Sequence, residues 1–161
     1  MAHELHVTRA RELSAADNRL WLEIRRVLHE YEPLRATRAP LVVDVAGGRV
    51  RLAGRTRSES LRLTAAYLVS FVSGVLAVDN EIVSDDMVIR AVADALADDP
   101  LTAPHVIQVN ARYGEVTLVG EVSGPEVETR ALELAGSVPL ATGTRSELAI
   151  ARPPAAAPSA I

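Results

Sequence analysis

Few residues in this chain combine a reactive type with a spacing that suits chemistry. His3 and His6 form an H-x-x-H with Glu4 between them. On a helix that spacing can present two imidazoles to a metal, but the segment offers no second ligand cluster. No metal and no cofactor is therefore expected. His29 lies among charged residues in a helical pattern, and His105 follows a proline in a loop. Neither has a serine or carboxylate at a recognisable catalytic spacing. The acid pairs Asp85-Asp86 and Asp98-Asp99 suit a helix start and an Asp-Asp-Pro turn, because aspartate favours the positive end of the helix dipole and caps turns. The sequence has no cysteine, which removes thiol catalysis, disulfides and Cys-based zinc sites together. No phosphate-binding glycine loop or EF-hand pattern occurs, and no enzyme is expected.

What remains are surface features. The stretch GGRVRLAGRTRS, residues 47–58, carries Arg49, Arg51, Arg55 and Arg57, and Arg62 follows shortly after. Arg49 and Arg51 share one strand face if Val50 and Leu52 point to a core. Such a set can attract lipid headgroups or another anionic partner, or it can be an ordinary solvated face paired within the molecule. The whole chain has a net charge of −4 with no lysine, so the basic excess of a nucleic-acid binder is missing and no nucleic acid is expected.

An internal repeat identifies the elements that position these residues. LVVDVAGGRVRLAG (41–54) aligns with IQVNARYGEVTLVG (107–120) at a constant offset of 66, matching Val43 with Val109, Gly48 with Gly114, and Gly54 with Gly120. Both read as two alternating strands joined by a tight glycine turn. Downstream, the stripe Leu61, Ala65, Leu68, Val69 and Val72 repeats as Val127, Ala131, Leu134, Ala135 and Val138. Each stripe predicts a helix, followed by a strand at 78–83 or 145–150. A further helix precedes each hairpin, marked by Leu20, Ile24, Val27, Leu28 and Tyr31 in the first copy and by Val88, Val92, Ala95 and Leu96 in the second.

The predicted fold class is α+β: two tandem αββαβ modules, each a three-stranded mixed sheet covered on one face by two helices. The expected boundaries are a flexible N-terminus at 1–13, modules at 14–84 and 85–150, and a disordered Pro/Ala tail at 151–161. Gly48, Gly54, Gly74, Gly114 and Gly120 are read as structural turn glycines, with Gly54 and Gly120 ending strands.

With this order of elements, the chain resembles a tandem BON-domain protein, after the bacterial osmotically inducible and nodulation family. EYEPL and ADDPL before the hairpins, GRVRLAG and GEVTLVG within them, and VSGVLAVDNEIV (72–83) carry the resemblance over about residues 18–150. It implies the αββαβ fold and a non-catalytic role. Association with phospholipid membranes, envelope maintenance, osmotic stress and ion-responsive functions are further implications of the family. The second copy departs from the pattern in PLATGTRSEL, with Pro139 present and no asparagine at 146, which leaves its last turn and strand open. On that reading the second copy is structural and the first keeps the ligand surface.

The two copies also differ on their helices. Leu63, Tyr67 and Phe71 recur at i, i+4 and i+8, roughly opposite the core stripe, where the second copy has Thr129, Glu133 and Ser137. A helix apolar on two faces must bury both, against the other repeat, a second subunit or a membrane interface. Trp21, off the main stripe of the first helix, is expected to join this interaction face. A protein partner or homo-oligomer is thus the alternative to an anionic surface. The first residues show no signal-peptide pattern, and the 16-residue uncharged run from Leu63 to Val78 is short for a span. The expectation is a soluble cytoplasmic protein, with a peripheral membrane position as the variant.

Overall fold

The computed structural model describes residues 5–9 and 13–152; His3 and most of the Pro/Ala tail lie outside them. Two compact units result, the first comprising Met1–Val88 with Ala111–Gly114 and the second Ile89–Asn110 with Glu115–Ile161.

The first unit begins with β1 (Val7–Arg9), followed by α1 (Ala15–Glu30), a short α2 (Glu32–Thr37), β2 (Leu41–Ala46), β3 (Arg49–Thr56), α3 (Glu59–Ser70) and β4 (Ala77–Ser84). Ser14 starts α1 by accepting the Asp17 amide at 3.2 Å, as its position in the sequence suggests. The sheet order is β1-β2-β3-β4, with β2–β3 antiparallel and β3–β4 parallel. Alternation puts Val43, Val45, Val50 and Leu52 on the inward face, where they are fully buried beneath Ile24 and Leu28 of α1 and Ala65 and Val69 of α3.

This sheet has four strands instead of the expected three. The fourth comes from the N-terminal stretch read as flexible: Val7–Arg9 pairs parallel with Leu41–Val43, and the Leu41 amide donates to the His6 carbonyl at 3.0 Å. Leu5 and Val7 are buried, so the strand is held by two apolar side chains. Three residues are too few for alternation to register in the sequence.

The second unit repeats the plan. Helix α4 (Asp85–Asp98) leads into it, followed by β5 (Ile107–Arg112), β6 (Glu115–Val122), α5 (Pro125–Ser137) and β7 (Gly143–Ile150). The strand order is β5-β6-β7, and β7 runs parallel to β6 over eight residue pairs. The divergent last third of this copy therefore keeps its strand. In the first copy the Asn80 side chain donates to the Arg62 carbonyl at 3.1 Å and accepts from the Ile82 amide at 3.2 Å, tying β4 to α3. In the second, Ser146 takes that place, accepting from the Leu148 amide at 3.2 Å and donating to Glu128 at 2.5 Å. A shorter side chain thus makes the same strand-to-helix tie. No helix among the described residues is long and apolar enough to cross a membrane. The uncharged run from Leu63 is divided between α3 and β4.

Gly54 and Gly120 do not end strands. Each lies inside one, paired on both sides in the case of Gly54, with φ of 111° and 148°. A Cβ on Gly54 would stand 2.0 Å from the Pro40 carbonyl oxygen, and one on Gly120 2.5 Å from that of Val106. The Pro40 oxygen is held there because it accepts the Arg55 amide at 3.0 Å. The glycine is required by the close approach of neighbouring backbone. Gly54→Ala must distort the β2–β3 pairing and is expected to lower stability by about 3 kcal/mol or more. A urea denaturation midpoint close to wild type would count against this.

Candidate functional site

The arginine set is built into β3 and its continuation, and Arg49, Arg51, Arg57 and Arg62 meet carboxylates. Arg49 and Arg51 project on the solvent side of the sheet, as the alternation with buried Val50 and Leu52 requires. Parallel pairing with β4 brings Asp79 within 3.5 Å of Arg49 and Glu81 within 2.6 Å of Arg51. The hydrogen bond that Arg51 donates to the Glu81 carboxylate raises the arginine pKa above its ordinary value. Arg57 pairs with the buried carboxylate of Asp85 and donates to the Ala111 carbonyl at 2.8 Å, all within the first unit. Asp85 is thus more than a helix-start residue. Arg62 folds back on Glu59 at 2.6 Å, and that hydrogen bond raises its pKa too. Arg55 is half-buried beyond Gly54. Four of the five arginines are thus held in ion pairs and do not form an open cationic patch.

The apolar face has a different character. Leu63, Tyr67 and Phe71 are 53%, 63% and 72% exposed, while Leu61, Ala65 and Val69 on the opposite side of α3 are buried. The rings of Tyr67 and Phe71 meet edge to face at 4.8 Å between centroids, an arrangement that aromatic pairs favour. Beside them a groove of about 580 Å³ is lined by Val27 of α1 and by Tyr67, Leu68, Phe71, Val72 and Ser73. Glu23, at its rim, pairs with Arg26, whose hydrogen bond holds the carboxyl below its usual range; Arg26 also reaches Glu30 at 3.0 Å.

Trp21 does not belong to this face. Its ring is buried in the core, and its indole N–H donates to the Val43 carbonyl at 3.2 Å. Arg9 and Arg25 stand 5.7 and 5.9 Å from the ring, so cations occupy the approaches to its faces. A tryptophan can enter the core only where its N–H finds an acceptor, and the sheet supplies one.

Sequence spacing did not pair His105 with a serine, yet Ser123 and His105 come within 3.4 Å on an exposed surface. None of the described hydrogen bonds gives that imidazole a carboxylate to orient it, as a catalytic relay needs. Among the described residues, no group of three or more His, Asp or Glu could hold a metal ion.

Each unit therefore has a hairpin, a crossover helix and a parallel third strand, with the glycine pattern at matching places. Comparison with known families matches the BON domain twice, over residues 17–83 and 84–152. The chain belongs to the BON domain family. A search of curated proteins finds no match. Among solved structures, the C-terminal domain of CdsD, a structural protein of the type III secretion system of Chlamydia trachomatis, is similar with a TM-score of 0.61 and 15% identity, over 84% of this chain and 67% of that one. A second CdsD structure matches at a TM-score of 0.41 and 12% identity, over 83% of this chain and 92% of the other. At 15% identity the first of these likenesses concerns the fold alone.

Asp79 and Glu81 offset the charges of Arg49 and Arg51 on the β3–β4 surface of the first BON module. Asp79→Asn combined with Glu81→Gln would release both guanidinium groups. At roughly 1 kcal/mol per freed arginine near an anionic surface, affinity for phosphatidylglycerol vesicles at low salt should rise about tenfold or more. Co-sedimentation indistinguishable from wild type would show that these carboxylates do not mask the arginines.

Proposed function

We propose that this tandem BON protein is a non-catalytic binding module whose working surface is the outward face of α3 in the first module, and that its occupant is a protein. The observation that carries this is the exposed triad Leu63, Tyr67 and Phe71 beside an apolar groove. Exposed apolar area of this kind is costly in water, and a fold with no use for it has polar alternatives. The second module makes the same helix with Thr129, Glu133 and Ser137 at the corresponding places. The fold therefore does not demand the apolar residues.

The charge distribution favours protein over an anionic membrane. From Leu63 to Val78 the chain carries no charged residue, and Arg26 on the α1 side of the groove is engaged by Glu23 and Glu30. Arg62, at its start, is engaged by Glu59. Surface attraction of an anionic bilayer needs accessible basic groups, and an uncharged aromatic face suits the desolvated centre of a protein interface.

A photo-crosslinking amino acid placed at position 71 or 137 tests this in cells. Discrete protein adducts are expected from position 71 and none from 137, while the purified chain stays in the supernatant with phosphatidylglycerol vesicles at low salt. Vesicle binding that Phe71→Ser abolishes would instead make a membrane the occupant.

A further inference from the structure

The two modules finish the same strand edge differently. In the first, β1 lies parallel to β2, with Val7 opposite Leu41 and Arg9 opposite Val43, and the Leu41 amide donates to the His6 carbonyl at 3.0 Å. Leu5, Val7 and Leu41 are all buried as a result. The Val43 carbonyl is taken by the Trp21 indole. In the second module, Ile107, Gln108 and Val109 stand where Leu41, Val42 and Val43 stand, at the offset of 66. There β5 pairs with β6 alone, and among the described residues no strand lies along its other side. Ile107 is only half-buried, Gln108 is exposed, and Val106 before them is 89% exposed. Trp21 is the only tryptophan of the chain, so no indole serves Val109. The cause lies in the order of elements. The segment before α1 supplies β1, whereas the segment before α4 is β4, already paired with β3.

We infer that the β5 edge of the second module is a docking site for an extended segment of another protein, added parallel to Ile107–Val109 as β1 is added to β2. The chemistry of the occupant follows from β1 and its flank: apolar side chains at alternate positions, as in Leu5-His6-Val7, and a carbonyl that accepts the Ile107 amide. Main-chain hydrogen bonds provide the attachment in such strand addition, and the alternate side chains provide selectivity. Three residues suffice, since β1 itself spans only Val7–Arg9. Further along β5 the Ala111 carbonyl is held by Arg57, which limits the length of the added strand.

Charge points to the same edge and the same occupant. Exposed strand edges are commonly guarded by charged side chains or proline. At the opposite border of this sheet, β7 carries Arg145 and Glu147 3.6 Å apart. Residues 107–110 hold neither a charge nor a proline. An uncharged edge beside an exposed valine fits an apolar segment rather than an acidic or basic one. The site is separate from the α3 face, and neither reading requires the other.

Amide hydrogen exchange of the full chain, followed by NMR, provides the test. In the free chain the Ile107 amide should exchange on the order of 100-fold or more faster than that of Leu41. The probe is a synthetic peptide of residues 3–11, HELHVTRAR. Added at up to about 2 mM, in the range of effective concentration that a short tether gives, it should slow exchange at Ile107. The same peptide with Val7→Asp should not. Ile107→Pro in the protein removes the outward amide, as an edge position allows, and should weaken binding of the fluorescently labelled peptide about tenfold or more. Circular dichroism checks the fold of that variant, and the peptide substitution tests the site without altering the protein. An Ile107 amide as slow as that of Leu41 in the free chain at every concentration would mean that the chain covers its own edge. Protection that grows with protein concentration alone would make a second copy the occupant. Either result overturns the inference, as does a peptide that leaves Ile107 unprotected or binds Ile107→Pro as well as wild type.

Discussion

Eight residue pairs of parallel strand between β3 and β4 govern the first module. Parallel neighbours cannot be joined by a hairpin, because the chain must return to the starting end of the sheet. A crossover is obligatory, and α3 is that crossover. Its inward stripe is then fixed against the sheet by Leu61, Ala65 and Val69, and its outward stripe is fixed with equal certainty away from it. The exposure of Leu63, Tyr67 and Phe71 follows from strand topology rather than from local flexibility. The second module obeys the same constraint through β6, α5 and β7, and fills the outward positions with polar residues.

The strand pairing also determines the fate of the arginines. Asp79 and Glu81 lie roughly thirty residues beyond Arg49 and Arg51, and only the β3–β4 register brings them together. Exposed pairs of this kind each contribute little to stability, on the order of 0–1 kcal/mol. Their larger effect is on the field outside the molecule. A row of arginines that looks basic along the chain is close to neutral in space.

The sequence made the repeated elements legible because each copy constrains the other. Apolar positions that recur at one offset in two helices and two hairpins are selected by burial, and Val43, Leu52, Val109 and Leu118 are indeed buried. Elements without that redundancy were hidden. Helix α2 spans Glu32–Thr37 and β1 only Val7–Arg9, both shorter than the stretches over which a period becomes readable. Trp21 sits beside the stripe on a helical projection, and what draws it inward is a carbonyl on a strand 22 residues away. The i, i+4, i+8 spacing of the α3 face was visible because it is local. The Arg–carboxylate pairs and the Pro40–Gly54 contact were not, since both depend on which backbone lies alongside.

The charged rows on β3 and β4 bear on more than the module's own field. Strand β4 is an edge of its sheet, with hydrogen-bonding groups that could template another strand. Another strand laid along that edge would partly desolvate the Asp79 and Glu81 pairs with Arg49 and Arg51, which costs free energy. The same ladder that quiets the arginines therefore guards the border of the sheet. Strand addition at β4 is thereby made costly, whereas Leu63, Tyr67 and Phe71 on the outward face of α3 carry no ion pair to desolvate.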